Sequence, residues 1–284
     1  MEIKDDKQAT DKAWSRLYSR LEQEWLLNEE QKGGRRQALR IVAWTMSFAA
    51  VLFIGFFALR GFISTPEKDI IVVNTSSDDM GSAYLATVLN DGSIVYIADS
   101  ATFSYPAHFD KNKREVTLTG EAFFDIKKNS EKPFSVETDY AYIEVTGTMF
   151  GVQSFTSGDF KVSVSSGEVR VKLKNNQQTV VVEAGESVIL DANNLRKMHD
   201  ERALQFEPYC GKIYFKDMRL ADIVTIVNKQ NEEKSLILAP ELDDYILTAT
   251  FAKDELAVIA DLICRTLNLQ FSYREDGIII HELQ

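Results

Sequence analysis

The chain has 284 residues, 45% of them hydrophobic, and a formal net charge of −11. Residues 1–60 carry a net +2 and residues 61–284 a net −13, and so acidic a body has no electrostatic reason to seek phosphate backbones, which excludes direct nucleic-acid binding as an expectation. The two cysteines, Cys210 and Cys264, and the scattered His108, His199 and His281 form no CxxC or HExxH spacing, so neither a metal nor a cofactor is expected.

Residues 1–37 are too few to bury a core alone. Within them, Asp11–Leu27 predicts an amphipathic helix. Trp14, Leu17, Tyr18, Leu21 and Trp25 recur at steps of three and four and form one apolar stripe. Arg16, Arg20, Glu22 and Glu24 occupy the opposite face. A stripe with two tryptophans and no domain to cover it needs a partner. A helix-in-groove contact with aromatic anchors is the leading expectation. A membrane surface and self-association stay open, although the polar face is not predominantly basic, as an interfacial helix prefers. Gln31–Arg36, with its paired glycines, reads as a short joint.

Residues 38–60 follow as an expected transmembrane helix. The run Ile41–Leu59 holds no charge and no proline. Nineteen residues at about 1.5 Å each span roughly 28 Å, the thickness of a bilayer core. Lys32, Arg35, Arg36 and Arg40 precede the run and Arg60 stands nearly alone after it, so the positive-inside rule places the N-terminus in the cytoplasm. A buried core helix and a cleaved signal peptide are the rivals.

Residues 61–82 read as a linker or a loose first strand. From residue 83 to 192 the pattern turns β. Tyr84–Leu89 and Ser93–Ile97 flank the hairpin signal Asn90-Asp91-Gly92. Strands are predicted at Glu115–Leu118 and Glu121–Ile126, separated at Thr119-Gly120. Further strands follow at Phe134–Glu137, Tyr142–Val145, Phe150–Phe155, Phe160–Val164, Glu168–Leu173, Thr179–Val182 and Ser187–Leu190. Many short strands with a turn every ~8–12 residues imply an all-β sandwich, barrel or solenoid.

Several ordered motifs in this stretch resemble the FecR domain. They are Leu89-Asn90-Asp91-Gly92-Ser93, Thr102–Pro106 with Phe109, and above all Val116–Ile126. Lys132–Val136, Val145–Val152, Val164–Val169 and Ala184-Gly185-Glu186 complete the series; the family usually has proline where Ala184 stands. The resemblance implies an anti-sigma regulator of the inner membrane. Its cytoplasmic segment would bind an extracytoplasmic-function sigma factor, and the helix bearing Trp14, Leu17, Tyr18, Leu21 and Trp25 sits where that segment belongs. Some FecR-like proteins are thought to cleave themselves at a Gly-Thr bond, which makes Gly147-Thr148 a candidate for self-processing. That chemistry needs a strained peptide and an activated hydroxyl.

Residues 193–211 read as a second linker. Residues 212–284 predict a small α+β module of order βαββαββ, with helices at Arg219–Gln230 and Glu255–Leu267. Phe215–Ile223 resembles the first strand and helix of the secretin/TonB short N-terminal module. That resemblance implies a C-terminal part in the periplasm that meets the signalling domain of an outer-membrane TonB-dependent transducer. The expected whole is a single-pass membrane protein with an all-β FecR-like domain followed by the α+β domain, and not a conventional enzyme. A membrane-anchored binding module for glycans or peptides is the alternative, beside self-cleavage at Gly147-Thr148.

Overall fold

The computed structural model describes residues 12, 14–24, 69–76, 83–206, 208, 211–231, 234–252 and 254–283. They belong to two compact units, Met1–Glu67 and Lys68–Gln284.

In the first unit, residues 14–24 form a helix, α1. The single-pass expectation and the inner-membrane address that followed from it are corrected here. Among the described residues no helix is long and apolar enough to cross a membrane. Helix α1 covers about 16 Å at 1.5 Å per residue and carries four charged side chains, Arg16, Arg20, Glu22 and Glu24. The apolar run Ile41–Leu59 lies outside the described residues.

The second unit begins with thirteen strands: β1 (Ile70–Asn74), β2 (Ala83–Val88), β3 (Ile94–Ile97), β4 (Thr102–Pro106), β5 (Arg114–Asp125), β6 (Phe134–Glu137), β7 (Ala141–Val145), β8 (Met149–Ser154), β9 (Phe160–Ser166), β10 (Glu168–Leu173), β11 (Thr179–Glu183), β12 (Glu186–Asp191) and β13 (Asn194–His199). They make two layers. Sheet A runs β11-β10-β7-β6-β5-β4-β1, and sheet B runs β13-β12-β9-β8-β5-β3-β2. Alternating residues of both layers fill the space between them. Phe103, Phe124, Phe134 and Phe150 are fully buried there, with the Phe124 and Phe150 rings stacked at 4.9 Å.

Strand β5 belongs to both layers. Its first half pairs with β4 and β6, its second with β3 and β8. The sequence reads Thr119-Gly120 as a turn between two strands, but one strand of 12 residues passes straight through. Gly120 makes this possible. Its φ is +103°, a conformation that side chains disfavour, and a Cβ there would fall 2.8 Å from Ala101 Cα. The glycine bends the strand from one sheet to the other without changing which residues face inward, so it serves as a corner.

The remaining elements are β14 (Lys212–Arg219), α2 (Leu220–Lys229), β15 (Ser235–Leu238), β16 (Ile246–Phe251), α3 (Leu256–Leu267), β17 (Leu269–Arg274) and β18 (Gly277–Glu282). Strands β15, β18 and β17 form a third sheet, C. Helices α2 and α3 turn Ile223, Ile226, Ile259 and Ile263 into a second core. Helix α2 also ties down the edge of sheet C. Asn228 donates to Leu236 O at 2.9 Å and accepts from Leu236 N at 2.8 Å, which occupies backbone groups that an edge strand otherwise leaves open.

Residues 193–211 hold β13 and a 3-10 turn at Glu201–Leu204. Beyond them β14 pairs in parallel with β2 and carries β16 on its other side, so sheet B continues into the C-terminal elements. The second core includes Ile94, Tyr96 and Phe123 from sheet B. Phe206 meets the Tyr96 ring at 5.7 Å and the Phe123 ring at 5.9 Å, both edge-on. Lys229 of α2 pairs with Asp125 of β5. The α+β elements are therefore packed against the β layers through a common apolar core.

Candidate functional site

The residues expected to meet a partner lie on α1. Trp14, Leu17, Tyr18 and Leu21 are 56, 50, 68 and 54% exposed. The Trp14 and Tyr18 rings touch at 6.4 Å, one helical turn apart, so the helix presents a continuous aromatic ridge. Trp25 lies outside the described residues. Four large apolar side chains in water on one face cost solvation free energy that a protein groove would recover, at about 25 cal/mol per Å² of area covered.

Gly147 and Thr148 immediately precede β8, between two close neighbours. A Cβ on Gly147 would fall 2.5 Å from Lys128 Cα. Thr148 is buried, and its hydroxyl donates to Glu168 O at 2.9 Å. Its own carbonyl accepts from Ile126 N at 3.1 Å. The threonine thus ties β8 to β10 on one side and to the end of β5 on the other. Nucleophilic attack requires a group that removes the hydroxyl proton. The acceptor observed is an amide carbonyl, which is too weak a base.

The motif Asn90-Asp91-Gly92-Ser93 has a different use. Asp91 accepts from its own turn, from Ser93 N at 3.0 Å and Ser93 Oγ at 2.8 Å. It also accepts from Arg114 Nη1 at 2.8 Å. Arg114 opens β5 and its side chain is only 2% exposed. It donates further to Lys132 O at 2.8 Å and Lys127 O at 3.0 Å, and lies 5.5 Å from the Phe134 ring centroid. One guanidinium therefore joins the β2–β3 turn, the start of β5 and the β5–β6 loop. Sequence reading passed over Arg114. The available signal was parity: it shares the inward face of β5 with Val116 and Leu118.

A second polar cluster fastens residues 200–206, a strap that crosses the outer face of sheet B. Asp200 accepts from Lys161 Nζ at 2.9 Å and from Ser187 Oγ at 2.7 Å, and Phe206 anchors the far end. These two donors hold the Asp200 carboxyl below the usual carboxylate range. A depressed folded value means that its stabilisation is present above the ordinary range near ~4 and is lost as pH falls through the folded value. Asp200→Asn should therefore destabilise the protein at neutral pH by about 1–2 kcal/mol, because the pair is partly exposed to solvent. The difference from wild type should close below pH ~4, which melting curves between pH 7 and 3 will measure.

Burial pushes the Cys264 thiol up to about 11, so it is not a nucleophile at neutral pH. Cys210, the other cysteine of the chain, lies outside the described residues. Among the described residues no group of three or more His, Cys, Asp or Glu side chains is placed to hold a metal ion.

Residues 72–170 match the family model described as FecR protein. That match takes in β2 to β9, most of β1 and the first residues of β10, including the Asp91–Arg114 pair and Gly120. Two crystal structures of a candidate anti-sigma factor from Parabacteroides distasonis are similar to the chain. They are 20 and 21% identical, cover 76 and 75% of this chain and 100% of their own, and have a TM-score of 0.45 each. No curated protein matches the chain.

Proposed function

We infer that this chain, whose β domain belongs to the FecR family, is an anti-sigma regulator that works by binding and not by catalysis. The partner of α1 is a sigma factor of the extracytoplasmic-function type. Trp14, Leu17, Tyr18 and Leu21 enter a groove on it, with Trp25 extending the ridge. The C-terminal α+β module receives the signal, from the signalling domain of a TonB-dependent transducer, and the β layers carry it. The single observation that supports this reading best is the unshielded aromatic ridge of α1, ahead of a FecR domain in the same chain.

Release of the sigma factor requires that the signal change the relative affinity of two states of the regulator, since a ligand that binds both equally shifts nothing. The full chain with a C-terminal affinity tag should retain a sigma factor from its own cells, and a chain lacking residues 1–37 should not. Recovery of no sigma factor by the full chain, with transcription unchanged on deletion of the gene, would reject the proposal.

A further inference from the structure

One end of sheet B is built to be covered on both faces. An antiparallel strand with one face on a core and one in water alternates in burial. Strand β3 does not alternate: Ile94, Val95, Tyr96 and Ile97 are all at most 1% exposed. Val95 and Ile97 belong to the first core, between the two layers, and Ile94 and Tyr96 to the second. Ala86, Tyr96 and Phe123 are cross-strand neighbours in one row across β2, β3 and β5, and Val88, Ile94 and Asp125 form the next. Tyr84 sets its ring edge-on at 5.4 Å from Phe123. A sheet face with these side chains is a boundary between layers and not a boundary with water.

The α+β elements supply the cover, through three kinds of tie. Strand β14 takes the edge of β2, with Lys212 opposite Ala83, Ile213 opposite Tyr84 and Tyr214 opposite Leu85. Phe206 packs on Tyr96 and Phe123 just ahead of β14. Lys229 of α2 meets the Asp125 carboxylate at the end of the second row. Lifting the α+β elements away would open the edge of β2 and bring Tyr96 and Phe123 into water. The same step would open the other half of that core, where Phe215, Ile223 and Ile226 are fully buried. Neither part keeps a closed core without the other.

We propose that the unit Lys68–Gln284 is one cooperative body, in which the α+β elements form a third layer over sheet B and no hinge divides them from the β layers. A domain on a free linker passes on a contact by swinging. Here a partner held at the α+β elements acts on the folding equilibrium of the β layers directly, because both parts open together and a ligand of the folded state shifts their one shared equilibrium. The direction in which a signal travels rests on the function proposed above; the coupling itself does not.

Native-state hydrogen exchange of the full chain in low denaturant tests this without any partner, read at β7 in sheet A and at α3 in the C-terminal part. The slowest amides of both elements should exchange through one opening, with equal protection. Ile143→Val in β7 and Ile263→Val in α3 each trim a fully buried side chain, one in each core, and are mild enough to keep the fold. Each should lower protection about two- to tenfold, and by the same factor at both elements. Protection that falls only in the element carrying the substitution, or an α3 that opens while β7 stays closed, would overturn the proposal. No sigma factor enters the measurement, so that result would leave the anti-sigma reading standing.

Discussion

Asp91→Ala should be among the most damaging single substitutions in the chain, costing about 3–5 kcal/mol of stability. It leaves the Arg114 guanidinium, whose side chain is 2% exposed, without its counter-charge. The remaining acceptors, the carbonyls of Lys132 and Lys127, satisfy hydrogen bonds but supply no net charge. Arg114→Met should cost less, about 2–3 kcal/mol, because the orphaned Asp91 is 18% exposed and can recruit water. The double variant Asp91→Ala/Arg114→Met should be more stable than Asp91→Ala alone, since no buried charge is left unpaired. In a unit of this size 1 kcal/mol moves the melting temperature by about 2–4 °C, so Asp91→Ala should melt roughly 10 °C lower. A shift under about 2 °C, or a double variant less stable than either single one, would show that the pair is not what holds the turn, strand and loop together.

That pair marks the boundary of what the sequence discloses. Asp91 is visible in it as a turn residue, because Asn90-Asp91-Gly92 between two apolar runs has a local mechanism. Its partner stands 23 positions away, and only the pairing of β3 with β5 brings the two together. Gly120 is a similar case. Locally it reads as a break, and two strands are the natural inference; the sharing of β5 between two sheets turns the break into a corner. Strands β7, β9 and β10 were legible because one face is buried and the other wet, which writes the period into the residues; β3, buried on both faces, was found by the turn signal before it.

Strand β13 was not legible. Only Leu195 of its six residues is buried, so no alternation exists to be read. The parallel union of β2 with β14 was equally hidden, since it joins residues some 130 positions apart and no composition records it. The apolar run Ile41–Leu59 shows the opposite danger. Composition alone spoke for a membrane helix there, and among the described residues no helix fits that role. The ridge on α1 was legible because its steps of three and four match the helical turn, and residues 14–24 form that helix.

The ridge yields the second large effect. Trp14→Ala should weaken sigma-factor binding by about 2 kcal/mol or more, at least thirtyfold, and Tyr18→Ala by a similar amount. The two rings touch at 6.4 Å, so they act as one anchor and their losses should not add. Leu17→Ala and Leu21→Ala remove less area and should cost about 1 kcal/mol each. Arg16 and Arg20 lie about 150° and 110° around the helix from the centre of the ridge, and Arg16→Ala and Arg20→Ala should change affinity less than about threefold at physiological salt. None of these substitutions touches the cores of residues 68–284, so melting curves should superimpose on wild type. Surface plasmon resonance with the co-purified sigma factor will measure the series. A groove that receives the aromatic ridge must give this asymmetry between faces. Equal losses on both faces would point instead to a contact made by charge, and equal retention would place the sigma-binding segment elsewhere in the chain.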